Sequence, residues 1–156
     1  KLYKKDGKFR YVDNQSIPLR DKEGYPGTKP PWGTLSALNL NSGKLIWQVP
    51  LGYYETLKSK GIITGTENFG GATATAGGLV FASGTLDKLL RAFDSSNGKE
   101  LWSYKLPFIG SAPPTSYEVK GEQFIVLPAS GGISLKIFYG DKVELGDSVL
   151  AFKLKK

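Results

Sequence analysis

The sequence predicts an all-β protein, a partial β-propeller of antiparallel four-stranded blades, and three observations carry that expectation. The first is a repeat. Ala37-Leu38-Asn39-Leu40-Asn41-Ser42-Gly43-Lys44-Leu45-Ile46-Trp47 returns as Ala92-Phe93-Asp94-Ser95-Ser96-Asn97-Gly98-Lys99-Glu100-Leu101-Trp102, with Ala, Gly, Lys and Trp each recurring 55 positions further on. A period of this size means stacked structural units, not one irregular core. The second is turn chemistry between short apolar runs. Asn41-Ser42-Gly43, Gly77-Gly78 and Asn97-Gly98 supply the positive-φ positions of tight hairpins. The third is a weaker copy at Val149-Leu150-Ala151-Phe152, after which no matching Gly and Trp follow. That interruption points to a piece of a larger ring.

The elements follow in chain order. Residues 1–31 are polar and broken by Gly7, Pro18, Gly24, Pro26, Gly27, Pro30 and Pro31, so they read as a loop-rich segment with one short hairpin near Phe9–Val12. Residues 32–156 hold about two to three blades. The first strand begins at Thr34 with imperfect alternation, and its partner, Lys44–Pro50, places Leu45, Trp47 and Val49 on one face. Tyr53–Lys60 has room for one or two helical turns, and Gly61–Gly71 reads as a long loop. Ala72–Ala76, Leu79–Ser83, Leu89–Asp94 and Glu100–Leu106 form the one complete blade, within residues 71–107. Pro114–Val119 and Gln123–Leu127 start another, Pro128–Leu145 is a Gly-containing excursion, and Ser148–Leu154 is the third strand. Its fourth strand is expected from upstream in a parent protein, or from Lys1–Val12, because ring closure hides an exposed edge. Trp47 and Trp102 are expected to pack between neighbouring blades, filling the wedge between twisted sheets.

Composition narrows the chemistry. The 156 residues contain no Cys and no His, so disulfides, thiolate nucleophiles, His-dependent triads and Cys-based zinc sites are excluded. Acid–base work falls to carboxylates, Lys or Tyr. The net charge of +7 comes with basic clusters near both ends, yet no nucleic-acid-binding motif accompanies it, so it reads as a solvated surface and no nucleic acid partner is expected. Asp141, Glu144 and Asp147 lack the alternating spacing of a Ca²⁺ loop and read as a solvated turn. No phosphate-cradling Gly-x-x-x-x-Gly-Lys occurs. Without an initiator Met, a leader or an apolar run long enough to span a bilayer, the chain reads as an internal or processed segment.

Several stretches are more specific than the repeat. Gly24-Tyr25-Pro26, Pro30-Pro31-Trp32-Gly33-Thr34-Leu35, Gly65-Thr66-Glu67-Asn68-Phe69-Gly70-Gly71, Thr75-Ala76-Gly77-Gly78-Leu79-Val80-Phe81, Arg91-Ala92-Phe93-Asp94, Thr115-Ser116-Tyr117-Glu118-Val119 and Gly146-Asp147-Ser148-Val149-Leu150-Ala151-Phe152 run from Gly24 nearly to the end. Together they resemble the C-terminal propeller blades of quinoprotein dehydrogenases that use pyrroloquinoline quinone (PQQ), in the glucose-dehydrogenase-like branch. Two departures stand out: Ala72 occupies a position where family members often carry Pro, and Gly131–Leu145 is atypical.

The resemblance implies a periplasmic parent enzyme that passes hydride from a sugar or alcohol to the quinone. It implies PQQ and Ca²⁺ in the full-length parent, with electrons leaving to a quinone or cytochrome. The catalytic aspartate and main metal ligands of the family lie upstream of the matched part, so no catalytic or metal residue is expected here and the chain alone is expected neither to hold the cofactors nor to be active. Cofactor contacts carried over by position are Asp87, Asn68 and Trp32. Asp87 also suits a turn cap, Asn68 a bond within its own loop, and Trp32 plain packing. Glu67 could ligate a metal only with partners from elsewhere. The expected partners are the remaining blades or a second copy covering open edges. The alternative reading is a non-catalytic propeller scaffold or binding module, which would have no need of the Gly65–Gly71 stretch.

Overall fold

A computed structural model describes residues 2–11 and 18–154. Eleven strands form four antiparallel sheets: β1 (Leu2–Lys5) with β2 (Lys8–Tyr11), β3 (Thr34–Leu38) with β4 (Leu45–Pro50), β5 (Ala72–Ala74) through β6 (Leu79–Ala82) and β7 (Leu89–Asp94) to β8 (Glu100–Lys105), and β9 (Thr115–Val119) with β10 (Glu122–Ala129) and β11 (Ser148–Lys153). Among the described residues three short helical pieces interrupt them: α1 (Glu55–Lys58), α2 (Ile133–Tyr139) and a 3-10 turn at Gly140–Lys142. The arrangement is a partial β-propeller, with one four-stranded blade between a two-stranded and a three-stranded one.

The sequence repeat is a backbone repeat. In the β3–β4 turn, Asn39 N–H donates to the Lys44 carbonyl (2.8 Å) and Gly43 N–H to the Asn39 carbonyl (2.7 Å). The β7–β8 turn repeats this with Asp94 to Lys99 (2.9 Å) and Gly98 to Asp94 (2.9 Å). The ladder also slips at equivalent places, between Ala37 and Leu38 and between Ala92 and Phe93. A β-bulge at a fixed position increases local twist, which suits each sheet to stack on the next.

Stacking creates two apolar seams. Leu51, Ala82 and Phe93 are buried with Leu35, Val49 and Val80 between the β3–β4 sheet and the four-stranded sheet. Leu90, Leu106, Leu127 and Ala129 are buried with Phe81, Phe108, Leu150 and Phe152 on the other side. Trp47 belongs to the first seam. Its indole N–H donates to the Ser95 carbonyl (2.9 Å), and its ring covers Gly98, where an added Cβ would come within 2.6 Å of the ring. Gly98 therefore serves twice, through its φ of 74° in the turn and through the bare surface it offers the indole.

Trp102 sits at the corresponding place one blade on but keeps 41% of its surface exposed. It stacks on Tyr104 (6.2 Å) and meets Phe152 edge-on (5.6 Å). No turn equivalent to Ser95–Gly98 lies opposite it among the described residues. A cleft of about 650 Å³ beside it is lined by Leu79, Phe81, Trp102, Ile125, Phe152 and Glu122.

Three expectations need correction. Among the described residues, the Leu2–Tyr11 segment pairs only with itself, through a turn with Asp6 and Gly7 both at positive φ, and does not complete the sheet of β9–β11. Lys1 and Val12 lie outside the described residues. β10 continues through Pro128 to Ala129, because Pro128 and Ala129 still face β11 at Val149 and Ser148. The excursion after it carries helix α2, seated by Leu135, which packs on Ile109 and Val143.

Candidate functional site

Antiparallel strands sort the connections into two ends. The tight turns after β3, β5, β7 and β9 lie at one end. At the other gather the long connections: residues 18–33, 51–71, 83–88, 106–114 and 130–147. Every residue singled out for cofactor contact lies at this loop end, and the cleft beside Trp102 lies at the turn end.

Glycine lets the loop-end backbones touch. Trp32 N–H donates to the Thr64 carbonyl (2.6 Å), and a Cβ on Gly33 would strike the Thr66 carbonyl oxygen at 1.8 Å. Gly65, at φ 66°, faces Gly33 in the same way. The pair pins the aromatic residue Trp32 against the Gly65–Gly71 segment. Its indole N–H is spent on the Thr28 carbonyl (2.7 Å). Its ring stacks on Tyr25 (5.8 Å) and meets the edge of Tyr54 (5.4 Å).

Asp87 ends the β6–β7 connection and is 6% exposed. Its Oδ1 accepts from the Thr85 hydroxyl (2.6 Å), Leu89 N–H (3.1 Å) and Arg91 Nη1 (3.2 Å). Its Oδ2 accepts from Tyr53 N–H (3.1 Å) and pairs with Arg91 Nη2. Arg91 continues through Nε to Glu100 (3.1 Å). Both Asp87 oxygens are thus engaged by its own turn, by Arg91 and by the backbone entering α1. Asn68 donates from Nδ2 to the Ser83 carbonyl (2.7 Å), tying the Gly-rich segment to the β6–β7 connection.

A second cluster surrounds Glu67. Its Oε1 pairs with Arg20 Nη2 (2.9 Å). Its Oε2 accepts from Tyr54 OH (2.9 Å) and from Tyr139 OH, and the two phenol oxygens lie 2.9 Å apart. The Arg20 guanidinium lies over the Tyr139 ring (4.4 Å to the centroid) and Nη1 holds the Gly24 carbonyl (2.9 Å). Burial pushes the Glu67 carboxyl up, but the Tyr139 hydroxyl, the backbone, Tyr54 and Arg20 outweigh it and hold the group below the usual carboxylate range. Burial, with the neighbouring Glu67, pushes the Tyr54 phenol up to about 12 and raises Tyr139 as well.

The two clusters adjoin through Tyr53-Tyr54, whose first residue donates to Asp87 and whose second donates to Glu67. Among the described residues, no group of three or more His, Cys, Asp or Glu converges to hold a metal ion. A Ca²⁺ takes about six to eight oxygen ligands, and the Asp87 and Glu67 oxygens already face cationic and hydroxyl donors. These donors do not fit a resident Ca²⁺. The structure brings Trp32, Tyr25 and Tyr54 into one aromatic cluster, and it places Asn68 on the neighbouring Gly-rich segment with its Nδ2 bound to Ser83.

Arg20, Tyr54 and Tyr139 escaped the sequence reading. Arg20 sits in a Pro- and Gly-rich stretch without periodicity, and Tyr139 in the atypical excursion. The available signal was Leu135 and Tyr139, four apart on one helical face.

The fold and the loop-end site define a propeller segment of the quinoprotein type. The glucose/ethanol/alcohol dehydrogenase β-propeller domain of PQQ enzymes matches residues 3–125, and the chain belongs to this PQQ-dependent dehydrogenase family. Over 85% of its length it is 40% identical to the quinate/shikimate dehydrogenase (quinone) of Acinetobacter baylyi, and over 88% it is 34% identical to the quinoprotein glucose dehydrogenase of Escherichia coli. The chain spans 17% of each of these relatives. A quinohemoprotein alcohol dehydrogenase structure from Pseudomonas putida superimposes with a TM-score of 0.53 at 26% identity, covering 78% of this chain and 16% of that one. A europium-containing methanol dehydrogenase superimposes at 0.58 over 78% of this chain and 23% of its own, and at 20% identity it speaks to fold alone.

Proposed function

We propose that this chain supplies blades and one side of the cofactor site in a PQQ-dependent dehydrogenase that oxidises a hydroxyl of a ring-shaped polyol or sugar. The observation that carries the reading is the gathering of Trp32, Asn68 and Asp87 at the loop end of a chain whose family match covers residues 3–125. The named activities of the relatives, on quinate or shikimate and on glucose, share a six-membered ring bearing hydroxyls, and that sets the substrate class.

Bound PQQ would supply the hydride-accepting chemistry. The chain's own residues do the orienting. Trp32, fixed by Thr64, Thr28 and Tyr25, offers a rigid aromatic face. Asn68 contributes a polar group from the Gly65–Gly71 segment against which Trp32 is pinned. Asp87 acts through structure: it holds Arg91 and the Tyr53 N–H, and so fixes the backbone from which Tyr54 projects. The catalytic base and the Ca²⁺ ligands come from other residues of the parent protein, whose remaining blades are this chain's partners. The parent works in the periplasm and hands electrons to a quinone or cytochrome.

PQQ titration of the intact gene product in the presence of Ca²⁺ tests the reading, with the Asn68→Ala and Trp32→Ala variants alongside. The expected result is saturable PQQ binding that either variant weakens about tenfold or more, as loss of a positioned polar or aromatic contact would. Unchanged affinity in both variants would remove these residues from the cofactor site.

A further inference from the structure

We infer that Glu67 is a positioning residue that fixes helix α2, through Tyr139, as a wall over the loop-end site, and that α2 thereby governs substrate access. The claim about access rests on the proposed function; the claim about position does not.

Glu67 joins segments that belong to three different sheets. Arg20 comes from the connection leading into β3, Glu67 and Tyr54 from that between β4 and β5, and Tyr139 from the end of α2 between β10 and β11. The far side of the excursion has its own anchors. Leu135 and Val143 pack on Ile109 and Leu86, and Lys88 Nζ pairs with Glu144 (2.6 Å). The apolar side of α2 is thus secured without Glu67. Partly buried charge is weak evidence for stability by itself, so the cluster calls for another role. What it adds is lateral placement. It draws the α2 end toward Tyr54, whose ring touches both Trp32 and Tyr25.

The donors around Glu67 show why the residue acts as an ionised acceptor. The Oε2 atom and the two phenol oxygens lie in mutual contact, and Oε1 faces Arg20. With both phenols donating to Oε2 and the Arg20 guanidinium facing Oε1, both carboxyl oxygens act as acceptors, as an ionised carboxylate does. An amide at this position must turn its NH₂ toward either the Arg20 guanidinium or the phenols, and it offers Arg20 no counter-charge.

The test uses the intact gene product carrying Glu67→Gln or Tyr139→Phe. Hydrogen exchange is read first, without cofactor. Amides of 133–139 should exchange about tenfold faster in either variant, the size expected for losing a charge-assisted hydrogen bond, while those of β6 and β7 stay unchanged. Dye-coupled kinetics with PQQ and Ca²⁺ follow. KM for the ring polyol should change by about tenfold with kcat held within about twofold, the split expected when only access and uniform binding are altered. Unchanged exchange in both variants would overturn the positioning role, and faster exchange with unchanged KM would overturn the wall. If the unsubstituted protein oxidises no polyol, the proposed function fails, and the exchange result alone decides whether Glu67 positions α2.

Discussion

Trp47 and Ser95 are 48 residues apart in the sequence and joined by one hydrogen bond of 2.9 Å, from the indole N–H to the backbone carbonyl. That bond, with the ring lying on Gly98, couples two blades. Trp47→Ala is expected to destabilise the protein by about 3 kcal/mol, the low end for truncating a large aromatic, because Trp47 is only part-buried. Gly98→Ala should cost at least about 1–2 kcal/mol from its left-handed backbone alone, and more once the new methyl meets the indole. Denaturant unfolding of both variants checks this. A loss below about 0.5 kcal/mol in each would mean that the contact does not hold the blades together.

Trp102 provides the contrast. With 41% of its surface exposed and no turn facing it among the described residues, Trp102→Ala should cost this chain clearly less than Trp47→Ala, about 1 kcal/mol, as for ordinary substitutions outside a closed core. The same measurement on the intact gene product should return a larger loss if further blades cover the ring.

Asp87 and Arg91 are 1% and 4% exposed at their side chains and paired with each other. Removing one partner leaves a buried, uncompensated charge. Asp87→Ala is therefore expected to cost about 3–5 kcal/mol. Asn68→Ala, which loses one hydrogen bond to a backbone carbonyl, should cost about 1 kcal/mol. Thermal melts of the two variants separate a structural Asp87 from a merely peripheral one.

The Glu67 cluster sets a pH window. The carboxyl is held below its ordinary value of 4.5, so its stabilising contribution is complete above that pH and is lost as pH falls through the lower folded-state value. Tyr54 is raised to about 12 from 10.0, so its contribution is complete below pH 10 and is lost as pH climbs toward 12. Stability measured against pH should fall at both limbs, and Glu67→Gln should flatten the acid limb. An acid limb unchanged by Glu67→Gln would assign that fall to other carboxylates.

Open edges make a further prediction. The outer edges of β3 and β11 pair with no described strand, and Leu45, Ile46 and Val149 are exposed on or near them. Unpaired edges with apolar neighbours favour association. Light scattering of the isolated chain should show a mass that rises with concentration. A monomer at high concentration would mean that these edges are self-protected.

The fold was legible in the sequence where local chemistry and the repeat agreed. Asn39–Gly43 and Asp94–Gly98 form the same turn because each offers an acceptor at its start and a glycine at the positive-φ position. Trp47 was legible as an inter-blade residue for the same reason. The site was less legible. Asp87, Asn68 and Trp32 came from resemblance, and their positions at the loop end follow from topology. The partners of Glu67 did not, because Arg20, Tyr54 and Tyr139 lie far apart in sequence within three connections of no shared period. Helix α2 was missed because seven residues between glycines are too few for a periodic pattern to stand out from a loop.

The most direct test of the central claim is dye-coupled oxidation by the intact gene product, supplied with PQQ and Ca²⁺ and offered quinate, shikimate and glucose. Reduction of the dye that requires PQQ and at least one of these ring polyols is the predicted result. A protein that binds PQQ yet reduces no dye with any of them, or that binds no PQQ at all, would contradict the assignment and leave a propeller scaffold in its place.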